Sequence, residues 1–291
     1  MKNTEKIKHI FKKEFKAYFI SPIAYIVISI FLLIIGWLFF STFFLNGQAS
    51  LTRLFVLLPV TFAFIIPAVT MRLFSEEMNV GTYEIMLTLP VTFRDIIMGK
   101  FLAGVAFVGM MLAPTLFYAI FTSFLGKLDW GPVIGGYLGA MLLGAAFCAI
   151  GLFASSLSKN QIIAFIIGMS ICFALTLLVD FILFFMPGAA VVFIIIGLIL
   201  MFIFLLASFM TRTYVTAFRI GTVISLVFTL ISAFMYFFVP GVIVKFLQYL
   251  SANYHFNNIA KGVVDTRDIL YFISVMFIAL YGSNLIMQEK K

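Results

Sequence analysis

Eight stretches of the chain, each 18 residues or longer, contain no Asp, Glu, Lys or Arg: 17–52, 54–71, 101–126, 130–158, 160–179, 181–211, 220–244 and 269–288. A bilayer core offers no water to backbone N–H and C=O groups, so a spanning segment is a helix or a strand of a closed barrel. Barrel strands alternate apolar and polar residues. Stretches such as "AFVGMMLAPTLFYAIF" (106–121) do not alternate. A helix crosses with about 20 mostly apolar residues, and each stretch holds one. The pair 160–179 and 181–211 is parted only by Asp180. Pro and Gly punctuate helices, so the turn belongs at "MPG" (186–188). The expected fold is an all-α polytopic membrane protein, a single transmembrane domain over 1–291. Its eight spans lie near 22–45, 54–74, 101–125, 132–156, 160–186, 189–211, 220–240 and 269–287.

Charge between the spans orients them, because Lys and Arg accumulate on the cytoplasmic side. With the N-terminus inside, fourteen of the nineteen basic residues fall on the cytoplasmic side and five outside. Both termini are therefore expected in the cytoplasm of a multi-pass protein of the plasma or inner membrane. Six spans would orient the ends in the same way. The first apolar run lacks a small-residue cleavage site and is expected to stay in the chain.

Six basic residues lie in the first sixteen positions, beside the first span. That placement points to anionic membrane lipids and away from nucleic acid as the source of the +8 net charge. Within residues 1–20, Ile7, Ile10, Phe11, Phe15, Tyr18 and Phe19 recur at helical spacing among lysines. The pattern predicts an interfacial helix with Ile7, Phe11, Phe15 and Phe19 toward the membrane.

Three features inside the spans stand out. Pro59 and Pro67 predict a kinked second span, which serves equally as a flexing gate or a static bend. The fourth span pairs small residues four apart, Gly135 with Gly139, Ala140 with Gly144, and Gly151 with Ser155. Such spacing permits close helix approach, within the subunit or against a second copy. Asp180 is an acid inside an apolar block, a candidate for the substrate path or a structural acid near the outer interface. Cys148 and Cys172 read as small packing residues.

The chain is 64% apolar and 10% charged, yet seven charges crowd into residues 72–100. This segment, "RLFSEEMNVGTYEIMLTLPVTFRDIIMGK", falls on the cytoplasmic side between spans two and three. Its Glu76, Glu77 and Glu84 offer partners to a basic surface. Gly81 supplies a turn, Thr82 an N-cap for a short helix, and Pro90 its end, with "TFRDII" starting a second short piece. No G-x-x-x-x-G-K-[ST] occurs, so the chain carries no phosphate-cradling loop of its own. The two histidines, His9 and His255, lie far apart, and no metal site is expected.

The stretch "SEEMNVGTYEIMLTLPVTFRDIIMGKFLAG" resembles the cytoplasmic signature of ABC-2 type transporter permeases: acids, then Gly-Thr, an acid two residues on, a Leu-Pro pair and a Gly-Lys before the next span. "KKEFKAYFISPIAYIV", "GLFASSLSKNQIIAFIIG" and "LSANYHFNNIAKGVVDTRDILYF" resemble other blocks of that family. The set is most similar to the subgroup of gliding-motility permeases and permeases of nitrous oxide reductase maturation. Residues 187–240 depart from its six-span pattern and read as an added helical hairpin, followed by an extracytoplasmic segment over 241–268. The resemblance implies a permease subunit, not an enzyme, that pairs with a second copy or paralogue. It implies a separate cytoplasmic ABC ATPase, which holds the ATP and Mg while this chain binds no cofactor. Residues 75–98 are then the coupling segment, with Glu76, Glu77, Gly81, Thr82, Glu84 and Pro90 meeting the ATPase. Export is the implied activity; a non-transporting, energy-transducing role in a motility or cell-envelope complex is the alternative.

Overall fold

A computed structural model describes residues 3–46, 50–82, 91–178, 180, 221–223, 225–227, 229–230, 245–246 and 248–290. These residues are helical, without strands. They divide into two units, Met1–Leu177 with Ala252–Lys291, and Leu178–Ser251.

The first unit contains ten α-helices among its described residues. They are α1 (Asn3–Ile20), α2 (Pro22–Asn46), α3 (Thr52–Thr70), α4 (Arg72–Val80), α5 (Phe93–Leu112), α6 (Leu116–Leu125), α7 (Trp130–Leu157), α8 (Gln161–Phe173), α9 (Ala252–Ala260) and α10 (Thr266–Glu289). Their starts follow from local chemistry. Pro22 opens α2, where a missing N–H costs nothing. Asp129, Asn160 and Asp265 place a side-chain oxygen on the N–H two residues ahead and so cap α7, α8 and α10.

Among the described residues, five helical segments are long and apolar enough to cross a membrane: Pro22–Ser41, Thr52–Val80, Phe93–Leu125, Trp130–Leu157 and Thr266–Glu289. They coincide with expected spans one to four and the last. The expected fifth span begins as α8 and continues through a π-helical turn, Ala174–Leu178. Its far end, the "MPG" turn, the span at 189–211 and most of the 187–240 hairpin lie outside the described residues. In the second unit, Asp180 is half-buried and accepts a 3.3 Å hydrogen bond from the Ser251 hydroxyl.

The bundle is built around α7, whose sequence explains the position. Association inside lipid relies on close van der Waals contact, which small residues allow. Gly135 and Gly139 lie against α9, Gly144 against Val108 of α5, and Gly151 against Thr70 of α3. A Cβ at Gly151 would collide with the Thr70 hydroxyl. The small-residue stripe is thus used within the subunit. By contrast, α2 and α10 turn large apolar side chains outward, among them Trp37, Phe277 and Ile278. α3 stays helical through Pro59 and Pro67, and α4 continues it beyond Met71. The second span therefore reaches Val80, past the expected end near residue 74.

Candidate functional site

The charge-dense segment is anchored where α3 passes into α4. At that junction Ser155 of α7 inserts its hydroxyl into the backbone ladder. Its Oγ accepts from the N–H groups of Phe74 (2.9 Å) and Ser75 (3.0 Å) and donates to the carbonyl of Met71 (2.7 Å). The Ser75 hydroxyl donates to the same carbonyl. A side chain inserted this way is an identifiable cause of a helix bend. One hydroxyl from a neighbouring helix therefore fixes how α4 leaves α3.

α4 is amphipathic. Leu73, Phe74, Ser75 and Met78 are buried, while Glu76, Asn79 and Val80 are exposed. Gly81 ends it in the left-handed region at φ +81°, where a Cβ is disfavoured. The Thr82 hydroxyl donates back to the carbonyl of Glu77 at 3.3 Å. Thr82 thereby serves one of the orphan carbonyls at the end of α4; the short helix it is expected to cap lies outside the described residues. Glu84 and Pro90 lie outside the described residues.

The chain re-enters helix at Thr92. Thr92 Oγ1 accepts from the Asp95 N–H, and Asp95 Oδ2 accepts from the Thr92 N–H (3.1 Å) and hydroxyl (2.8 Å). This capping box opens α5, so "TFRDII" is the first turn of the third span and not a separate short helix.

Lys100 lies further along α5, with only 1% of its side chain exposed. Its Nζ donates to Glu77 Oε1 of α4 (2.9 Å), Glu14 Oε1 of α1 (3.1 Å) and the carbonyl of Leu73 (2.7 Å). An ammonium has three donors, and all three are used. The Phe74 ring centroid lies 5.2 Å from the same nitrogen. Outside this group, exposed Lys13 approaches Glu14 at 3.4 Å and Glu77 at 3.6 Å. Two lysines and two glutamates thus form one neutral cluster across three helices. A buried charge requires such company, since desolvating an unpaired one costs several kcal/mol.

Two further side chains meet this region. Lys290, after the last turn of α10, donates to the carbonyls of Ser156 (2.6 Å) and Leu157 (3.3 Å) at the end of α7, and its Nζ is 3.6 Å from Met78 Sδ. A cation there complements the negative end of the helix dipole. Burial, then the nearby Lys159, pushes its pKa below the usual lysine value. Arg72 makes a long 3.5 Å contact with Ser21, at the corner between α1 and α2.

α1 packs its apolar stripe along α5. Phe11, Phe15 and Phe19 are half-buried there, Ile7 is half-buried nearer the start of the helix, and Phe11 stacks on Phe15 at 5.7 Å. Gly99 makes room, because a Cβ at that position would stand 2.6 Å from Ile10. Lys8, His9, Lys12, Lys13 and Lys16 remain exposed on the other side.

The family model of the ABC-2 family transporter proteins matches residues 9–191. The chain belongs to that family. No curated protein matches it. The matched region contains Glu14, Glu77, Lys100 and Ser155 together, so the whole charge cluster lies within the ABC-2 membrane domain. As an ABC-2 protein the chain is a membrane transport component.

Sequence reasoning missed Glu14 and the burial of Lys100. Glu14 is the one acid in "KIKHIFKKEFKAYF", and an acid alone among lysines and aromatics was the available signal. Asp180 belongs to the second unit, where it accepts from Ser251. At the opposite end of the first unit, His255 Nδ1 and Asp268 Oδ1 are 2.6 Å apart and buried, with Tyr271 stacked on the imidazole at 4.1 Å. Among the described residues no three His, Cys, Asp or Glu side chains group as metal ligands would.

Proposed function

We propose that this ABC-2 domain is the permease subunit of an ATP-driven exporter, and that α4 with the residues after it receives the push of a separate ABC ATPase. The observation that carries this reading is the way α4 is held. Ser155, Lys100 and Lys290 tie its buried side to α7, α5 and α10, while Glu76 stays exposed. A short helix braced against several spans transmits a load; a solvated loop absorbs it. ATP and Mg sit on the partner, whose closure displaces α4, and the attached spans rearrange. The end of the bundle carrying α1, α4 and both chain termini faces the cytoplasm, in keeping with the clustering of Lys and Arg there. The exposed lysines of α1 rest on anionic headgroups of the cell membrane. A second copy or paralogue completes the pathway, and kinship with the gliding-motility and nitrous-oxide-reductase-maturation permeases fits the sequence blocks.

The test is co-purification of the tagged full-length chain with an ABC ATPase, followed by ATP hydrolysis in vesicles with Glu76→Lys and Gly81→Pro. Pro cannot adopt φ +81°, so Gly81→Pro re-aims the segment, and Glu76→Lys reverses an exposed charge. Both are expected to uncouple hydrolysis from the permease. Full coupled activity in both variants would place the contact elsewhere. Coupled hydrolysis with no movement of any offered cargo would favour an energy-transducing, non-transporting complex.

A further inference from the structure

The proposed push falls on α4, but the cluster at Lys100 ties a second helix to the same point. α1 packs along α5 far more than along α4. Its connection to α4 is ionic: Glu14 and Glu77 take two donors of one ammonium, and Lys13 bridges the same two carboxylates from outside. Apolar side chains of similar volume would hold three helices together about as well, because burying ions sacrifices hydration. The ionic arrangement differs in geometry. It commits one nitrogen to α1, to α4 and to the α4 backbone at Leu73 at once. Lys100 can follow only one of the two helices, so displacing α4 without α1 would leave either Glu14 or Glu77 without the shared cation, which a buried carboxylate resists.

We infer that Glu14 and Lys100 are positioning residues for coupling, a latch that makes α1 move with α4. This rests on the permease reading above for its purpose, though not for its existence. The interfacial helix is then the second arm of the lever, and displacement of the coupling segment is delivered to the headgroup layer as well as to the spans.

The test uses the full-length chain in vesicles of phosphatidylethanolamine and phosphatidylglycerol, with spin labels on exposed positions. Cys148 and Cys172 are buried and stay unlabelled. Labels at Lys8→Cys on α1 and Asn79→Cys on α4 are expected to give one narrow distance. Glu14→Gln and Lys100→Met each broaden it, and Lys100→Arg, which keeps the charge, restores it. The pair Asn79→Cys and Arg94→Cys, spanning α4 and α5, stays narrow in Glu14→Gln, which general unfolding would not allow. An α1–α4 distance that stays narrow in Glu14→Gln overturns the latch, and that variant decides alone if Lys100→Met does not insert.

With the ATPase bound and trapped by ATP and vanadate, labels on α1 and α4 are each read against Gln288→Cys on α10. Both shift in the parent, and only the α4 label shifts in Glu14→Gln. An α1 shift that survives Glu14→Gln also overturns the latch. An ATPase that never binds sinks the permease reading instead and leaves the static distances to decide the latch.

Discussion

Ser155→Ala is the sharpest probe of how the charged segment is aimed. The substitution removes one oxygen and no volume that matters to packing, yet that oxygen serves three backbone groups. Met71 keeps a partner, because the Ser75 hydroxyl also reaches its carbonyl. The Phe74 and Ser75 N–H groups do not. Hydrogen bonds between helices in membranes contribute about 0.6 kcal/mol on average and about 1.7 at most. Two lost donors then cost about 1–3 kcal/mol, and two buried N–H groups left unsatisfied would cost up to about 6. The bend can relax by returning these N–H groups to the carbonyls one helical turn back, Thr70 and Met71. The lower figure should therefore win, near 2 kcal/mol. Relaxation straightens the α3–α4 junction and swings Glu77 away from Lys100. Two measurements follow: unfolding by detergent titration, and the distance between labels on α4 and α7. The expected result is a loss of about 2 kcal/mol together with a changed distance. Ser75→Ala should lose less, since Ser155 still holds Met71. A loss below about 0.5 kcal/mol with an unchanged distance would refute the claim that Ser155 sets the bend.

Gly81→Ala places a Cβ in open space but at φ +81°, so it should cost about 1–2 kcal/mol from backbone strain alone; a neutral result in the same titration would mean the turn is not left-handed. His255→Phe and Asp268→Ala each leave a buried polar partner without its bond, at about 1–3 kcal/mol apiece. The double variant should lose clearly less than the sum, and additive losses would show that the two do not act as a pair.

The spans were legible because lipid imposes a single rule, length without charge, and that rule located α2, α3, α5 with α6, α7 and α10. It misplaces the end of the second span. Arg72, Glu76 and Glu77 read as the exit from the membrane, whereas the helix continues to Val80 by burying Leu73, Phe74 and Met78. Lys100 was hidden for a related reason: a lysine at the head of a span reads as an interfacial marker, and its burial depends on two acids 23 and 86 positions away. The α5 start was readable after all, in the T-x-x-D of Thr92 and Asp95. Ser155 was visible as a small residue on a packing stripe. Nothing in its neighbourhood announces a hydroxyl reserved for another helix's backbone, because that demand arises only where α3 gives way to α4 and the Phe74 and Ser75 N–H groups turn to Ser155.

The cluster of Lys13, Glu14, Glu77 and Lys100 sums to zero formal charge. A charge driven across a membrane potential of 100 mV exchanges about 2.3 kcal/mol with the field. A neutral group carried along by the helices exchanges almost none. The latch itself can therefore shift without acting as a voltmeter, since its four side chains add no net charge for the membrane potential to assist or resist. Lys100→Met would end that immunity: it leaves two carboxylates facing one exposed lysine, a net negative body on a moving part.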